Sequence, residues 1–334
     1  LLAARAGSPE LLNRYSDNLL QLEGLRDELS QRWRSIVGNT PAAEGKVPAN
    51  LILSSPAEKY VLAADASHSR LYVYENTESG YQLVEDFFMT IVSPSDHWMY
   101  LSSNGSLSAG RINRNNAFFP YYTVDKIHDY KGLTGPVSWC LVELKGKHFL
   151  WEPFTSSSER FYAISRSLYK SIYGNKVLFE EFNRDLGLTF RYGWYNSGKY
   201  GWIRRARMLN GGDLTAKISL LDGLRNLLPY GADYSFQTEY SNLMDAYKKN
   251  ELLPRSRLGL YMLSSIPVDR AEPSEALKAT TVWSNGLGDV KVLLSDRQVK
   301  AFMRGESLST EVDVRAARGA YLLQAELVLG SGEA

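Results

Sequence analysis

The sequence predicts a mostly β protein, built as a large antiparallel β-sandwich (a supersandwich) with an N-terminal helix and a few peripheral helices. From residue 60 onward, short runs rich in Val, Ile, Tyr, Phe, Trp and Thr alternate with clusters of Gly, Asn, Asp, Ser and Pro, which is the pattern of antiparallel strands joined by turns. The strand–helix alternation of a parallel sheet is not evident in this stretch. At 334 residues, the chain is long enough for one large all-β domain or two ordinary ones.

The first predicted element is a helix over residues 11–37. Apolar side chains recur there at intervals of three and four residues, the spacing that lines one face of a helix, and Gly38 is a natural stop. The prolines and glycine of residues 39–50 predict a linker. We therefore divide the chain into an N-terminal helix with its linker, 1–49, and a β-sandwich domain, 50–334.

A series of short strands is predicted in the second part of the chain. Turn chemistry supports several of their boundaries, since Asn104-Gly105 is a strong hairpin dipeptide. Two peripheral helices with one apolar face interrupt the β pattern, over 236–249 and 296–304. The predicted strands are 60–64, 71–75, 82–90, 98–102, 138–144, 147–151, 177–182, 188–194, 201–208, 215–220, 259–264, 279–284 and 321–329.

Composition argues against several classes of partner. Lys and Arg total 38 against 37 Asp and Glu, a formal net charge of +1, so we expect no nucleic acid partner. No stretch approaches the roughly 18 apolar residues of a membrane span, so no membrane partner is expected either. The single cysteine, Cys140, cannot form an internal disulfide, which favours a reducing compartment. We therefore predict a cytoplasmic location.

Metal and cofactor chemistry is not indicated by the sequence. The histidines are far apart, none stands in a metal-ligand motif, and one cysteine cannot supply a thiolate site. We therefore expect no metal site and no cofactor. The histidines are His68, His97, His128 and His148.

One acidic segment resembles a glycosidase motif. Glu311-Val312-Asp313-Val314-Arg315 resembles the E-x-D-x-E strand of one family of sandwich-fold β-glucanases, in which alternation puts three acids on one face. Arg315 stands where the acid that protonates the leaving oxygen is needed. An ordinary amphipathic surface strand is the simpler interpretation. A stand-alone glycosidase that uses Glu311 and Asp313 stays open as an alternative.

Aromatic residues mixed with polar ones indicate a carbohydrate ligand. The sequence carries 7 Trp and 21 Tyr, several of them in clusters. Sugar sites combine flat rings, which stack on the apolar faces of a pyranose, with polar side chains that bind its hydroxyl rim, although core packing is the default for any single ring. Residues 110–116 are dense in Arg and Asn and predict an exposed recognition loop. The predicted sugar or interdomain contacts are Arg111, Asn113, Tyr121, Trp151 and Glu152.

Three extended segments carry a family resemblance: 161–181, 188–192 and 220–229, the last of which contains Leu221-Asp222-Gly223-Leu224-Arg225-Asn226. The stretches 104–126 and 151–154 fit the same resemblance. On these segments, residues 50–334 resemble the N-terminal region of cellobiose-phosphorylase-like proteins, and the nearest resemblance is to the large β-glucan phosphorylases.

In that family a large β-sandwich precedes a helical linker and an (α/α)6 barrel. Inorganic phosphate, the co-substrate, attacks the anomeric carbon, and an aspartate of the barrel protonates the leaving oxygen. The resemblance implies a non-catalytic sandwich domain of an inverting glycoside phosphorylase, with no catalytic residue in this chain. Its implied partners are its own catalytic barrel and a β-gluco-oligosaccharide, and the full-length protein is expected to be a homodimer. The alternative is an autonomous carbohydrate-binding protein.

Overall fold

The computed structural model describes residues 60–64, 70–75, 86–123, 126–171, 173–239, 241–265 and 278–334. Within these ranges the chain is mostly β, with short helices between the strands. The helix predicted over 11–37 and the linker after it lie outside the described residues. No helix within the described ranges is both long and apolar enough to cross a membrane.

The strands are β1 (Tyr60–Ala64), β2 (Arg70–Glu75), β3 (Phe88–Ile91), β4 (His97–Ser102), β5 (Leu107–Arg111), β6 (Gly135–Leu144), β7 (Lys147–Trp151), β8 (Ile164–Ser171), β9 (Lys176–Asn183), β10 (Leu188–Ser197), β11 (Gly201–Asn210), β12 (Ala216–Leu227), β13 (Lys248–Leu253), β14 (Leu258–Leu263), β15 (Thr280–Val282), β16 (Lys291–Leu293), β17 (Asp313–Arg315) and β18 (Gly319–Leu329). The α-helices are α1 (Ser156–Glu159), α2 (Tyr234–Glu239), α3 (Ser241–Tyr247) and α4 (Val299–Met303), and two 3-10 turns lie at Arg114–Asn116 and Ile127–Tyr130.

The strands form four small antiparallel sheets. A six-stranded sheet has the order β1-β2-β8-β9-β10-β11, and a five-stranded sheet has the order β16-β18-β12-β6-β7. A four-stranded sheet follows the order β15-β14-β13-β17, and a three-stranded sheet the order β3-β4-β5. The sheets are arranged like the blades of a four-bladed propeller, and the two layers of the predicted sandwich are not clearly formed. The sequence predicted the β class because alternation identifies a strand, but alternation does not say which strands share a sheet.

One hydrophobic cluster receives side chains from all four sheets. Met99 comes from the three-stranded sheet, Trp194 from the six-stranded sheet, Ile218 from the five-stranded sheet and Tyr261 from the four-stranded sheet. All four are at most 2% exposed. Burial of apolar area contributes about 25 cal/mol per Å², so this shared cluster stabilises the packing of the four sheets on one another.

Polar contacts also join the six-stranded and five-stranded sheets. The Arg204 guanidinium forms a two-point ion pair with Asp222, with Nη–Oδ distances of 2.7 and 2.8 Å. Ser138 Oγ donates to the same carboxylate at 2.6 Å. Because Arg204 and Asp222 are both nearly buried, each needs the other to offset the loss of water.

The helix predicted over 236–249 is shorter and divided in the structure. It becomes α2 and α3, and its last two predicted residues instead begin strand β13. The sequence of β13 is too polar for alternation to identify it, yet it pairs with β14 on one side and β17 on the other. Sheet pairing on both sides overrides the local helical pattern. By contrast, α4 lies inside the helix predicted over 296–304.

Candidate functional site

Aromatic side chains cover the outer face of the three-stranded sheet. The inner face of β3 and β4 carries Met89, Met99 and Leu101, which are buried in the shared core. Strand alternation therefore turns Phe88, Trp98 and Tyr100 to the opposite face, where all three stay partly accessible and Trp98 also packs against a second hydrophobic cluster that includes Phe236. We call Phe88, Tyr100, Trp98 and the neighbouring Tyr121 the aromatic strip.

The rings of the aromatic strip are in continuous contact. Phe88 and Tyr100 have ring centroids 5.4 Å apart at an interplanar angle of 38°, and Tyr100 and Trp98 are also 5.4 Å apart, at 35°. Tyr121 meets Trp98 edge-on at 5.7 Å. The first three rings thus lie side by side at modest tilts, and the ring of Tyr121 is nearly perpendicular to Trp98 at one end.

The position of Trp98 depends on a glycine in the next strand. Gly110 lies opposite Trp98 in the β4–β5 register, and a Cβ at that position would lie 2.4 Å from Cζ2 of the indole. The glycine therefore lets the indole lie close against β5. Trp98 Nε1 donates to the Asn113 carbonyl at 3.2 Å, which fixes the ring at its other edge.

The end of the aromatic strip is lined by polar and charged groups. Tyr234 of α2 contacts Tyr121 edge-on at 5.6 Å, and the Arg114 guanidinium lies 4.2 Å from the Tyr234 ring centroid. Asn115 Oδ1 accepts from the Tyr234 backbone N–H at 3.2 Å, which ties the 3-10 turn to α2. Arg114 and Asn115 are exposed, so their remaining donors are open to solvent or ligand.

Two predicted site residues, Asn113 and Tyr121, do lie at this surface. Tyr121 belongs to the strip itself, and its backbone N–H donates to Gln237 Oε1 at 3.2 Å. Asn113 caps the 3-10 turn: its Oδ1 accepts from the Asn115 N–H at 2.9 Å and from Asn116 Nδ2 at 3.2 Å. Asn113 thus positions the strip through its carbonyl and shapes the adjoining turn.

Arg111 lies on the other side of the three-stranded sheet. It ends β5 opposite His97, and alternation places it away from Trp98. Its Nε pairs with both oxygens of Asp96, at 2.9 and 3.1 Å. Burial lowers the pKa of His97; Asp96 opposes this shift and Arg111 adds to it. The predicted recognition loop is therefore exposed, as expected, but it contains the end of a strand and a 3-10 turn, and Arg111 does not reach the strip.

Trp151 belongs to the core. Its side chain is fully buried, and its Nε1 donates to Glu181 Oε1 at 2.8 Å. No face of its ring is left for a sugar, which corrects the prediction from sequence. The aromatic and acidic composition of residues 151–154 suggested a sugar site, but in β7 the indole points into the shared core.

Glu152 lines a cavity of about 260 Å³, and none of the strip residues is part of its lining. Its main chain is fixed, because its carbonyl accepts from Thr155 Oγ1 at 2.7 Å and from Ser158 Oγ at 2.8 Å. Burial raises the pKa of the Glu152 carboxyl, and Arg225 opposes that shift. We call this space the Glu152 cavity.

The side chains of the acidic segment 311–315, which the glycosidase alternative requires, contact other parts of the protein. Glu311 accepts from the Leu294 N–H at 2.7 Å and from Ser295 Oγ at 3.0 Å. Asp313 and Arg315 are exposed in β17 and pair with each other at 3.2 Å. This is the amphipathic surface strand of the simpler interpretation, with a cation where an acid is needed.

Sequence reasoning missed two contributors to the candidate site. Trp98 and Tyr100 are two residues apart in a predicted strand, a spacing that puts them on one face of it. Phe88 and Tyr234 join them through a strand pairing and a helix contact that no local pattern reveals. Within the described residues, no group of three or more His, Cys, Asp or Glu side chains is placed to hold a metal ion.

No family model matches the chain, and no curated protein matches it.

Proposed function

We propose that this chain is the non-catalytic N-terminal β-sandwich domain of an inverting glycoside phosphorylase, and that its aromatic strip binds a β-linked gluco-oligosaccharide. The observation that carries the proposal is the strip itself. Phe88, Tyr100 and Trp98 form a row of partly exposed rings on a rigid sheet, with exposed polar side chains at one end.

The chemistry of β-linked glucose suits this surface. Each pyranose has apolar C–H faces that pack on aromatic rings, and an equatorial rim of hydroxyls that exchanges hydrogen bonds with polar side chains. An extended chain of such residues would lay successive rings along the strip. The exposed Arg114 and Asn115 would then hydrogen-bond hydroxyls near the Tyr121 end.

The proposed sandwich arrangement is supported by contacts between the two largest sheets. Arg204 and Trp151 each reach across to the opposite sheet, to Asp222 and Glu181. The segments with family resemblance occupy strands β8, β9, β10 and β12 of these same sheets. In the proposal the sandwich packs on a catalytic (α/α)6 barrel, which supplies the acid and the inorganic phosphate site, within a cytoplasmic homodimer.

Calorimetry with oligosaccharides of increasing length tests the binding function. The full chain is titrated with cellobiose, cellotetraose and cellohexaose, and with maltotetraose as the control for linkage. We expect affinity to rise from cellobiose to cellotetraose as more rings of the strip are covered, and to be weaker for maltotetraose. Equal affinity for cellotetraose and maltotetraose, or no heat with any of these oligosaccharides, would contradict the proposal.

A second experiment separates the domain of a phosphorylase from an autonomous sugar-binding protein. The gene is read at its native locus immediately after the codon for Ala334. A continuous reading frame of several hundred residues with helical patterning supports the phosphorylase. A stop codon at that point, combined with oligosaccharide binding by the chain itself, favours the autonomous protein.

A further inference from the structure

The Glu152 cavity lies where three sheets meet. Trp139 of β6 and Arg225 of β12 belong to the five-stranded sheet, Tyr192 of β10 belongs to the six-stranded sheet, and Gly105 lies in the hairpin turn of the three-stranded sheet. Its volume of about 260 Å³ is many times the roughly 10–15 Å³ that a single water molecule needs. This is the scale of a small organic ligand, below the size of a drug-like molecule.

The Glu152 carboxylate is the chemically unusual group of this cavity. No described residue donates a hydrogen bond to its side-chain oxygens, although its backbone N–H donates to Ser158 Oγ at 3.1 Å. A partly buried carboxylate that receives no hydrogen bond is costly, because it has lost part of its water and the charge of Arg225 offsets that loss only in part. Hydrogen-bond donors on a ligand would remove that cost.

Cationic donors line other parts of the same cavity. Arg225 is held rigidly, with Nε on Asp296 at 2.9 Å and Nη1 on the Gly132 carbonyl at 2.9 Å. Its guanidinium carbon lies 5.3 Å from the Trp139 ring centroid, and its other terminal nitrogen has donors to spare. Lys131, also in the lining, forms no ion pair with a carboxylate of the described residues.

Two other polar side chains of the lining, Asn104 and Ser138, are already occupied. Asn104 Nδ2 donates to Asp86 and to the His128 carbonyl, and its Oδ1 accepts from the Ser106 N–H. Ser138 Oγ donates to Asp222 at 2.6 Å. The groups left to meet a ligand include the acceptor Glu152, donors from Lys131 and Arg225, and the exposed Ser156 hydroxyl.

A ligand that fits must donate a hydrogen bond to Glu152 and accept hydrogen bonds from Lys131 and Arg225. Hydroxyl groups do both without bringing further charge into the cavity, whereas a zwitterion would add two full charges that must lose their water. Walls from Phe154, Pro153 and Trp139 suit apolar C–H groups. We infer that the Glu152 cavity binds a single pyranose ring, at a site separate from the aromatic strip. This inference does not depend on oligosaccharide binding by the strip.

The two sites can be tested together by indole N–H resonances in NMR spectra of the full chain. The Trp139 and Trp98 resonances are assigned with the variants Trp139→Phe and Trp98→Phe. D-Glucose is expected to shift the Trp139 resonance saturably, with a dissociation constant in the millimolar range that suits so small a ligand. Cellotetraose is expected to shift Trp98.

Replacing the acceptor tests the role of Glu152. Glu152→Ala is expected to weaken the D-glucose effect at Trp139 at least tenfold, whereas Glu143→Ala, at an acid of β6 outside the cavity, leaves it within twofold. The thermal unfolding of both variants is recorded, so that a loss of fold is recognised. If Glu152→Ala does not fold, Glu152→Gln is measured in its place, with a smaller loss expected because the amide keeps one acceptor oxygen.

Each remaining outcome would contradict either the inference about the Glu152 cavity or the proposed function of the aromatic strip. If D-glucose shifts Trp98 but not Trp139, the cavity inference is wrong and the proposed function of the strip stands. If D-glucose shifts Trp139 while cellotetraose leaves Trp98 unmoved, the strip fails and the cavity stands. If glycine shifts Trp139 in a manner that depends on Glu152 and D-glucose does not, the cavity binds an amino acid and the inference is overturned.

Discussion

The indole Nε1 of Trp151 donates a 2.8 Å hydrogen bond to Oε1 of Glu181, joining β7 of the five-stranded sheet to β9 of the six-stranded sheet. Both side chains are fully buried. The other oxygen of Glu181 accepts from the Phe154 N–H at 2.6 Å and from Arg166 Nε at 2.6 Å. One carboxylate thus collects three donors from separate elements and links two sheets across the core.

Removal of the Glu181 charge is expected to destabilise the fold strongly. Glu181→Gln takes the fully buried carboxylate from the nearly buried Arg166, which keeps its ion pair with the partly exposed Glu159; breaking one side of a buried ion pair costs up to about 3–5 kcal/mol. The measurement is the free energy of unfolding in urea. The control is Glu143→Gln, which breaks an exposed pair with Lys217 and is expected to cost about 0–1 kcal/mol. Equal losses in the two variants would contradict the structural role of Glu181.

Glu152 is expected to give the stability a pH dependence of definite sign. Burial raises the pKa of its carboxyl above the ordinary value of 4.5, so the folded state holds this proton more tightly than the unfolded chain does. Stability from this group is therefore largest below the unfolded pKa, and it falls as pH rises from that value through the folded pKa. In Glu152→Gln this fall in stability with rising pH is expected to be absent.

Urea unfolding at pH 4 and pH 7 measures this effect. We expect the difference in stability between Glu152→Gln and the unchanged protein to favour the variant more at pH 7 than at pH 4. The opposite sign would mean that Glu152 has a stabilising partner when ionised, and would contradict the unpaired carboxylate of the cavity.

The Cys140 thiol is expected to be inert in the folded protein. It is fully buried, and desolvation raises its pKa well above the ordinary value of 9.0, so neither access nor thiolate is available. A thiol reagent such as dithionitrobenzoate should find no reactive thiol in the native protein and one per chain in denaturant. Fast reaction of the native protein would show that β6 opens or is packed differently.

Alternation along single strands was the part of the fold that the sequence predicted well. It places the neighbours Glu180 and Glu181 on opposite faces of β9, and the structure buries Glu181 while Glu180 pairs with the exposed Arg191. Alternation gives no information on which face is interior. For Trp151, ring and acid adjacent in sequence suggested a surface site, whereas the pairing of β7 with β6 turns the ring inward.

The candidate sites depend on contacts between residues far apart in the chain. Trp98 and Tyr100 share a face of one strand, which sequence can indicate, but Tyr234 reaches the strip through α2. The Glu152 cavity likewise brings together Glu152 and Arg225 from different strand ends, along with Lys131 from a turn. Local patterns cannot place such groups side by side, because only the tertiary fold determines their distances.

The most direct test of the account is the affinity of cellotetraose for Trp98→Ala compared with Trp283→Ala. Trp283 is 50% exposed and contacts Tyr200, outside the aromatic strip, so it is a matched control for the loss of an accessible indole. Loss of a stacking ring is expected to cost at least about 1.4 kcal/mol, a tenfold weaker dissociation constant, in Trp98→Ala. We predict that Trp283→Ala stays within twofold of the unchanged protein. Unchanged affinity in Trp98→Ala, or an equal loss in both variants, would contradict oligosaccharide binding at the aromatic strip.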